Sequence, residues 1–154
     1  MPKTVEQLGE AFARLPEALD RNMSIAVRMA AEMAANTARE SHAYVDRSGV
    51  LTASISASDP TGEFSAGTLQ ASFGAGTGYA VFVELGTKAH VIRPKFRAML
   101  RFPVEGGFVF SRGVRHPGTK PTMFLHKARD AAFERLKEDI VPSAVELSMA
   151  QAGI

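Results

Sequence analysis

The sequence predicts one α+β domain, in which a long N-terminal helix and a C-terminal helix pack on a small antiparallel sheet. Apolar residues recur at helical spacing near both ends of the 154-residue chain, and strand-like alternation lies between them. This order of elements is typical of domains whose helices cover one face of a sheet. We therefore expect a helical region at 1–44, a sheet with a long basic loop at 45–118, and a C-terminal helix and tail at 119–154.

The N-terminal region carries the clearest helical pattern. Residues Val5–Leu15 predict a short amphipathic start, and Pro16 is well suited to the first turn of a new helix. Beyond Pro16, mostly small or flexible apolar residues recur at helical spacing, which predicts a helix that reaches about His42. Such a face lets another backbone approach closely, in the same chain or, alternatively, in a neighbouring subunit. Its residues are Leu19, Met23, Ala26, Ala30, Met33 and Thr37.

Turn signals and short strand patterns follow. Gly49 breaks the helical pattern, and Leu51 with Ile55 would anchor a tight corner that leads into a strand. The tetrapeptide Asp59-Pro60-Thr61-Gly62 predicts a turn. Alternation of apolar and polar residues over 69–75 then predicts another strand.

The most regular strand pattern lies at 98–110. Alternate residues up to Val104 share one face, Gly106-Gly107 supplies a turn, and Phe108-Val109-Phe110 returns, which together predict a hairpin.

The C-terminal helix is predicted to begin after Pro121. Pro142 should end or kink it, because proline lacks the N–H that a helix interior needs. We expect the tail beyond, up to Ile154, to become ordered only against a partner. The inward face of this helix consists of Leu125, Ala128, Ala132, Leu136 and Ile140.

Glu84 needs an explanation because it follows the apolar run Val81-Phe82-Val83. Strand alternation would place it on the face of Phe82, where a carboxylate is costly unless it is paired. Backbone donors at Gly86 and Thr87 could satisfy it, as could the cations Lys88 and Arg93. We interpret Glu84 as a residue that fixes the turn at Gly86; a contact with a neighbouring subunit is the alternative.

Composition excludes several classes of site. The chain has 45% hydrophobic and 22% charged residues, as ordinary globular proteins do. It has no cysteine, so a disulfide framework and a Cys-based zinc site are both impossible. No apolar run approaches the roughly 18 residues that span a bilayer, and the first residues lack a signal-peptide core. We therefore expect a soluble, unexported chain without membrane contact.

No catalytic or cofactor motif is recognisable. The serines lack a Gly-x-Ser-x-Gly elbow, no pair of carboxylates is evidently aligned for glycosidase chemistry, and the glycines at 74, 76 and 78 lack a phosphate-binding context. The histidines lack the paired spacing of zinc enzymes. We expect neither an enzyme nor a metal or other cofactor. The four histidines are His42, His90, His116 and His126.

A basic segment extends from Lys88 to Lys120. It holds eight of the 18 Lys and Arg residues and one acid, Glu105. This pattern is typical either of a solvated surface or of a contact with DNA or an acidic partner. Four of these cations surround Pro94, which argues against a regular central strand, and we expect their loop to be poorly ordered until a partner neutralises it. They are Lys88, Arg93, Lys95 and Arg97.

Two motifs carry a resemblance to a known family. Residues Gly78–Thr87 contain Tyr-Ala-Val-Phe-Val-Glu-Leu-Gly-Thr, and His116–Leu125 reads His-Pro-Gly-Thr-Lys-Pro-Thr-Met-Phe-Leu. They resemble the tailed-phage head–tail joining and tail-completion proteins, in which Tyr-Ala-x-x-x-Glu-Phe-Gly-Thr precedes His-Pro-Gly-Thr-x-x-x-Pro-Phe-Leu. The chain departs from this pattern at Leu85, where Phe is usual, and at Met123, where Pro is common. The chain also matches the family pattern before the first motif, at Gly49, Leu51, Ser54 and Ile55, and between the two motifs, at Ile92, Pro94, Lys95, Leu100 and Phe102.

The resemblance implies a non-enzymatic virion protein of a long-tailed phage, prophage or gene-transfer particle. It implies a homo-oligomeric ring, sixfold or twelvefold, at the neck or the head-proximal end of the tail. Its partners would be neighbouring neck and tail proteins, with DNA passing through the lumen. A tail terminator or tube-end subunit is one alternative, and a free nucleic-acid-binding protein that uses residues 88–120 is another, although no nucleic-acid-binding module is recognisable.

Two sets of residues follow as candidate sites. The subunit or DNA contact would use Lys88, Arg93, Lys95 and Arg97. The structural turns would use Glu84, Gly86, Thr87, His116, Pro117 and Gly118.

Overall fold

The computed structural model describes residues 4–41 and 44–154, and it confirms the α+β class with a long N-terminal helix, small antiparallel sheets and C-terminal helices. His42, the predicted helix end, lies outside the described residues. The helices are α1 (Val5–Glu40), α2 (Val50–Ala53), α3 (Ala80–Leu85), α4 (Phe124–Arg135), a π-helical turn (Leu136–Ile140) and α5 (Val141–Ala152). The strands are β1 (Ile55–Ala57), β2 (Phe73–Ala75), β3 (His90–Ile92), β4 (Leu100–Val104), β5 (Gly107–Ser111) and β6 (Val114–His116).

The chain folds as two compact units. The helical unit combines the described part of Met1–Gly78 with Phe124–Ile154 and contains α1, α2, β1, β2, α4 and α5. The strand unit, Tyr79–Met123, contains α3 and β3 to β6. Among the described residues, no helix combines the length and apolar character that a membrane span requires.

Helix α1 begins with a capping box and continues through Pro16. The Thr4 hydroxyl accepts from the Gln7 N–H at 3.3 Å, and the Gln7 side chain accepts from the Thr4 N–H at 2.9 Å. The predicted break at Pro16 is wrong: one helix of 36 residues spans the position. Because Pro16 is exposed, the Phe12 carbonyl that loses its helical donor can bond water instead.

The predicted apolar face of α1 is the core of the helical unit. Met23, Ala26 and Ala30 are buried, and the face continues through a run of buried alanines that ends at Ala38. Helices α4 and α5 pack along it with small residues of their own, including Ala128. Small side chains on both surfaces let the helix axes approach closely.

A buried polar contact fixes α5 against α1. Ser148 is fully buried; its hydroxyl accepts from the Asn22 amide at 2.9 Å and lies 2.6 Å from the Ala144 carbonyl. The Asn22 amide also donates to Gln151 at 3.1 Å. Since an unpaired buried polar group is costly, these bonds favour one register of the two helices. The tail that was expected to be ordered only against a partner is therefore helical as far as Ala152 and packs within its own chain.

Pro142 does not end the C-terminal helix. The π-helical turn Leu136–Ile140 lies directly before α5, and Pro142 occupies the start of α5. A proline ring clashes with the carbonyl four residues earlier in a regular α-helix, and a turn with wider hydrogen bonding relieves that conflict. The helix therefore continues with a local irregularity.

The strands form three two-stranded antiparallel ladders within the described residues. β1 pairs with β2 in the helical unit, while β3 pairs with β6 and β4 with β5 in the strand unit. The predicted hairpin is confirmed as β4–β5, with Phe102 opposite Val109 and Gly106 in the turn at φ 85°. The predicted strand over 69–75 is shorter, because regular pairing covers only β2, with an isolated bridge between Thr61 and Gln70.

The corner after α1 is held by one carboxylate. Gly49 has φ 73°, and Asp46 accepts from the N–H of Gly49 at 2.9 Å and from that of Thr52 at 2.7 Å. Leu51 and Ile55 are buried, which confirms them as the anchors of this corner. The Thr52 N–H, followed by the other hydrogen bonds of the corner, holds the pKa of Asp46 below its ordinary value of 3.8.

Asp46→Asn should lower the melting temperature at neutral pH, because a neutral amide is a weaker acceptor for these N–H groups. The carboxylate stabilises the fold above its unfolded pKa, and that contribution is lost as the pH falls through the lower folded pKa. The difference in melting temperature between wild type and variant should therefore shrink below about pH 3.8. Asp130→Asn, at an exposed residue bonded to its neighbour Arg129, is the control. A gap that persists unchanged in acid would contradict this role.

Candidate assembly site

Glu84 lies on a helix rather than on a strand. In α3, Glu84 and Ala80 are four residues apart on one face, and each is only 5% exposed, whereas Phe82 is 58% exposed. The predicted strand, which placed Glu84 beside Phe82, is therefore wrong. The Val-Phe-Val run favours strands intrinsically, but the helix buries the alanine and the carboxylate together, so local propensity is overridden.

Gly86 ends α3 at a position that only glycine fits. Its φ is 71°, and a β-carbon there would clash with the Thr119 carbonyl and lie 2.8 Å from the Pro121 nitrogen. Both the left-handed backbone and the close approach of another segment exclude a side chain.

Gly118 is constrained in the same way. Its φ is 90°, and a β-carbon would clash with the Thr87 carbonyl and lie 2.9 Å from the carbonyl carbon of Lys88. The Gly118 N–H donates to His116 Nδ1 at 3.1 Å, across Pro117. This bond closes a local turn, and the rigidity expected of it stays a prediction.

The two Gly-Thr steps contact each other, and we call Gly86, Thr87, Gly118 and Thr119 the paired Gly-Thr turns. The backbones of Thr87 and Thr119 exchange two hydrogen bonds of 3.1 Å. Their hydroxyl oxygens lie 3.1 Å apart, and the Thr87 hydroxyl also accepts from the Thr119 N–H at 3.0 Å. Two motifs distant in sequence thus meet at a single point.

The paired turns extend the β3–β6 ladder. Thr87 opposes Thr119 in the same antiparallel register in which His90 opposes His116 and Ile92 opposes Val114. The close glycine contacts therefore lie at the end of that ladder and fix its register.

Thr122 and Met123 close the C-terminal end of α3. The Thr122 hydroxyl donates to the Val83 carbonyl at 2.9 Å, and the N–H groups of Thr122 and Met123 both donate to the Glu84 carbonyl at 3.1 Å. These bonds satisfy carbonyls that a helix end leaves without intrahelical donors. Met123 has φ 54°, and it is the one non-glycine residue with positive φ in the described chain.

The predicted role of the Glu84 carboxylate, fixing the turn at Gly86, stays a prediction. Of the proposed backbone donors, the Thr87 N–H donates instead to the Thr119 carbonyl. Pairing with the Gly86 N–H, Lys88 or Arg93 stays a prediction.

The four cations of the predicted contact are exposed. Part of their segment is the short strand β3, and Pro94 follows it, consistent with a ladder of only two strands. Lys88, Arg93, Lys95 and Arg97 therefore present positive charge at the surface of the strand unit.

Two histidines face each other beside the paired turns. The rings of His90 and His116 stack with centroids 5.0 Å apart. His90 Nδ1 lies 2.9 Å from the Lys88 carbonyl, to which it must donate, whereas His116 Nδ1 accepts from Gly118. Both Nδ1 atoms thus serve local turns, and the described residues contain no cluster of three or more His, Asp or Glu side chains suited to a metal.

Sequence reasoning missed the apolar surface of the strand unit. Phe96 is 96% exposed, and Phe108, Val109 and Phe110 are all exposed on β5. Three consecutive apolar residues on a strand place apolar side chains on both faces, which is the signal that could have revealed this surface.

Gly86→Val should destabilise the protein by at least about 1 kcal/mol from the left-handed φ alone, with a further cost from the clash at Thr119. Glu84→Gln, which keeps size and shape, should leave the fold largely intact and cost less. Denaturant unfolding of both variants measures the difference. Equal tolerance of the two substitutions would contradict the requirement for glycine.

Met123→Pro should cost more than about 1 kcal/mol, because proline cannot adopt φ 54° and removes the N–H that bonds the Glu84 carbonyl. Met123→Gly, which accepts positive φ and keeps the N–H, is the matched control and should melt close to wild type. A proline variant as stable as the glycine variant would refute this explanation of the departure from the family pattern.

Comparison with known proteins assigns the family. Residues 6–86, more than half of the chain, match the family described as Bacteriophage HK97-gp10, putative tail-component. The matched part includes all of α1 except Val5, the Asp46 corner, α3 and Gly86. No curated protein and no solved structure matches the chain. The chain belongs to the HK97-gp10-like family of bacteriophage tail components.

Proposed function

We propose that this protein forms a ring at the neck or the head-proximal end of a phage tail and helps to join the tail to the filled head. Family membership supports the tail location. The observation that carries assembly is the surface of the strand unit, where four exposed cations lie close in sequence to the fully exposed Phe96. A surface that combines exposed apolar side chains with one sign of charge marks an interaction site.

A ring follows from the kind of contact such a chain can make. When two different surfaces of identical subunits meet, the contacts close into a ring if the rotation permits it. Sixfold or twelvefold closure would suit a phage neck. The partners are further copies of the chain and neighbouring neck and tail proteins, with DNA passing through the lumen.

The role we propose is structural rather than catalytic. The histidine Nδ1 atoms and the threonine hydroxyls at the assembly site bond within their own turns. The family description, a tail component, supports the same role. A tail terminator is the nearest variant of this function and would use the same ring.

A free nucleic-acid-binding protein is the competing function, favoured by the exposed cations. Binding to DNA through phosphates would weaken steeply with salt, because counterions are released on binding. The monomer would then bind DNA without forming part of a particle.

The test compares particles assembled with wild-type protein and with a variant in which Lys88, Arg93, Lys95 and Arg97 are all changed to Ser. Wild-type protein should appear as several copies around the tail axis in electron microscopy, and the variant should reduce the fraction of heads joined to tails. In the control variant, four exposed cations of the helical unit are each changed to Gln, which preserves helix propensity. The control positions are Arg14, Lys127, Arg129 and Lys137.

A strictly monomeric wild-type protein that is absent from purified particles would overturn the proposed function. Normal joining by a correctly folded quadruple variant would show instead that these charges form only a solvated surface.

A further inference from the structure

The β4–β5 ribbon, Leu100–Ser111, exposes apolar side chains on both faces. Phe108 and Phe110 lie on one face and Phe102 and Val109 on the other, and all four are exposed. Arg101 shares the first face, with its guanidinium 3.9 Å from the centre of the Phe108 ring. A two-stranded ribbon is marginally stable in water unless something covers it. The ribbon therefore needs a partner surface.

Charge is divided unequally between the two units. The strand unit has eight Lys and Arg residues against two acids, a net charge of +6. The remainder of the chain has ten against fourteen, a net charge of −4. The strand unit of one copy is therefore attracted electrostatically to the helical unit of another.

The helical unit offers an apolar groove between α1, the π-helical turn and α5. Its volume is about 290 Å³. Ile25 and Met29 of α1 and Leu147 of α5 line it and are each about half exposed. Asp139 is the one charged residue among those lining it, and it forms an exposed ion pair with Arg135 at 3.0 Å. The groove is therefore mainly apolar, as an aromatic ribbon requires, and the electrostatic attraction comes from the opposite net charges of the two whole units.

We propose that the ribbon of one copy binds in this groove of the next copy. The Phe108 and Phe110 face would cover Ile25 and Met29, and Arg101 would lie towards Asp139. This inference rests on the proposed ring and specifies its contact. Because ribbon and groove are different surfaces of one chain, the contact is head-to-tail, the geometry that generates a ring.

Engineered cysteines test the contact directly, because the natural chain has none. A chain that carries both Phe110→Cys and Met29→Cys should, on mild oxidation, give a ladder of covalent multimers on a non-reducing gel. Mixing the two single-cysteine variants should give covalent dimers joining one of each. Phe102→Cys with Met29→Cys, on the opposite ribbon face, is the matched control and should cross-link poorly, since a disulfide forms only at short range.

Complementation tests whether the contact drives assembly. Phe108→Ser with Phe110→Ser removes the ribbon surface, and Met29→Arg places a cation in the groove. Each variant alone should lose the ring in light scattering while keeping its helical circular dichroism. A mixture of the two should recover dimers only, because each pair then has one intact ribbon and one intact groove.

The outcomes separate this inference from the proposed function. If wild-type protein forms rings and both variants do so as well, the ribbon–groove contact is wrong and the ring stands. The same holds if the opposite-face pair cross-links as well as the Phe110 pair, or if the ribbon variant loses only DNA binding. If wild-type protein forms no ring in solution or on particles, both proposals fail.

Discussion

The close backbone contact between the paired Gly-Thr turns is the constraint on which the strand unit depends. At Gly86 and Gly118 another backbone segment lies where a β-carbon would be, so no other residue permits the approach. The hydrogen bonds of Thr87 and Thr119 then set the register of β3 and β6. Through that register they position Lys88 and Arg93 at either end of β3, so the exposed charge is placed by glycines that carry none.

The strand unit is held chiefly by backbone geometry, whereas the helical unit is held by packing. Within the strand unit the buried residues are Ala80 and Glu84, while its large apolar side chains lie at the surface. The helical unit buries the alanine face of α1 against α4 and α5, with Asn22 and Ser148 bonded in the same layer. A unit that exposes its apolar residues gains little from folding alone, so its stability depends more strongly on what it binds.

The sequence predicted the elements whose periodicity was decided by burial on one face or by a strong turn. The α1 face from Met23 to Ala30 and the Gly106 hairpin are such cases. It failed where local preference opposed the tertiary environment. Val81-Phe82-Val83 favours a strand but is helical. The break predicted before Pro16 is absent, because water can bond the carbonyl that loses its donor, whereas at Pro142 the helix continues only after an irregular π-helical turn. The contact between the two Gly-Thr steps could not be predicted from the sequence, because periodicity carries no information about which distant turns meet.

The separation of charge between the two units bears on how copies of the chain could associate reversibly and still form a stable ring. A contact between the ribbon of the basic strand unit and the apolar groove of the acidic helical unit is steered by charge at long range and completed by apolar burial at short range. In an open chain of subunits the end copy is held by one contact, but in a closed ring every copy is held by two. Release from a ring therefore requires two contacts to break together, so each contact can be weak enough to form reversibly during assembly. Salt should weaken the encounter more than the closed ring, since exposed charges are screened and buried apolar surface is not.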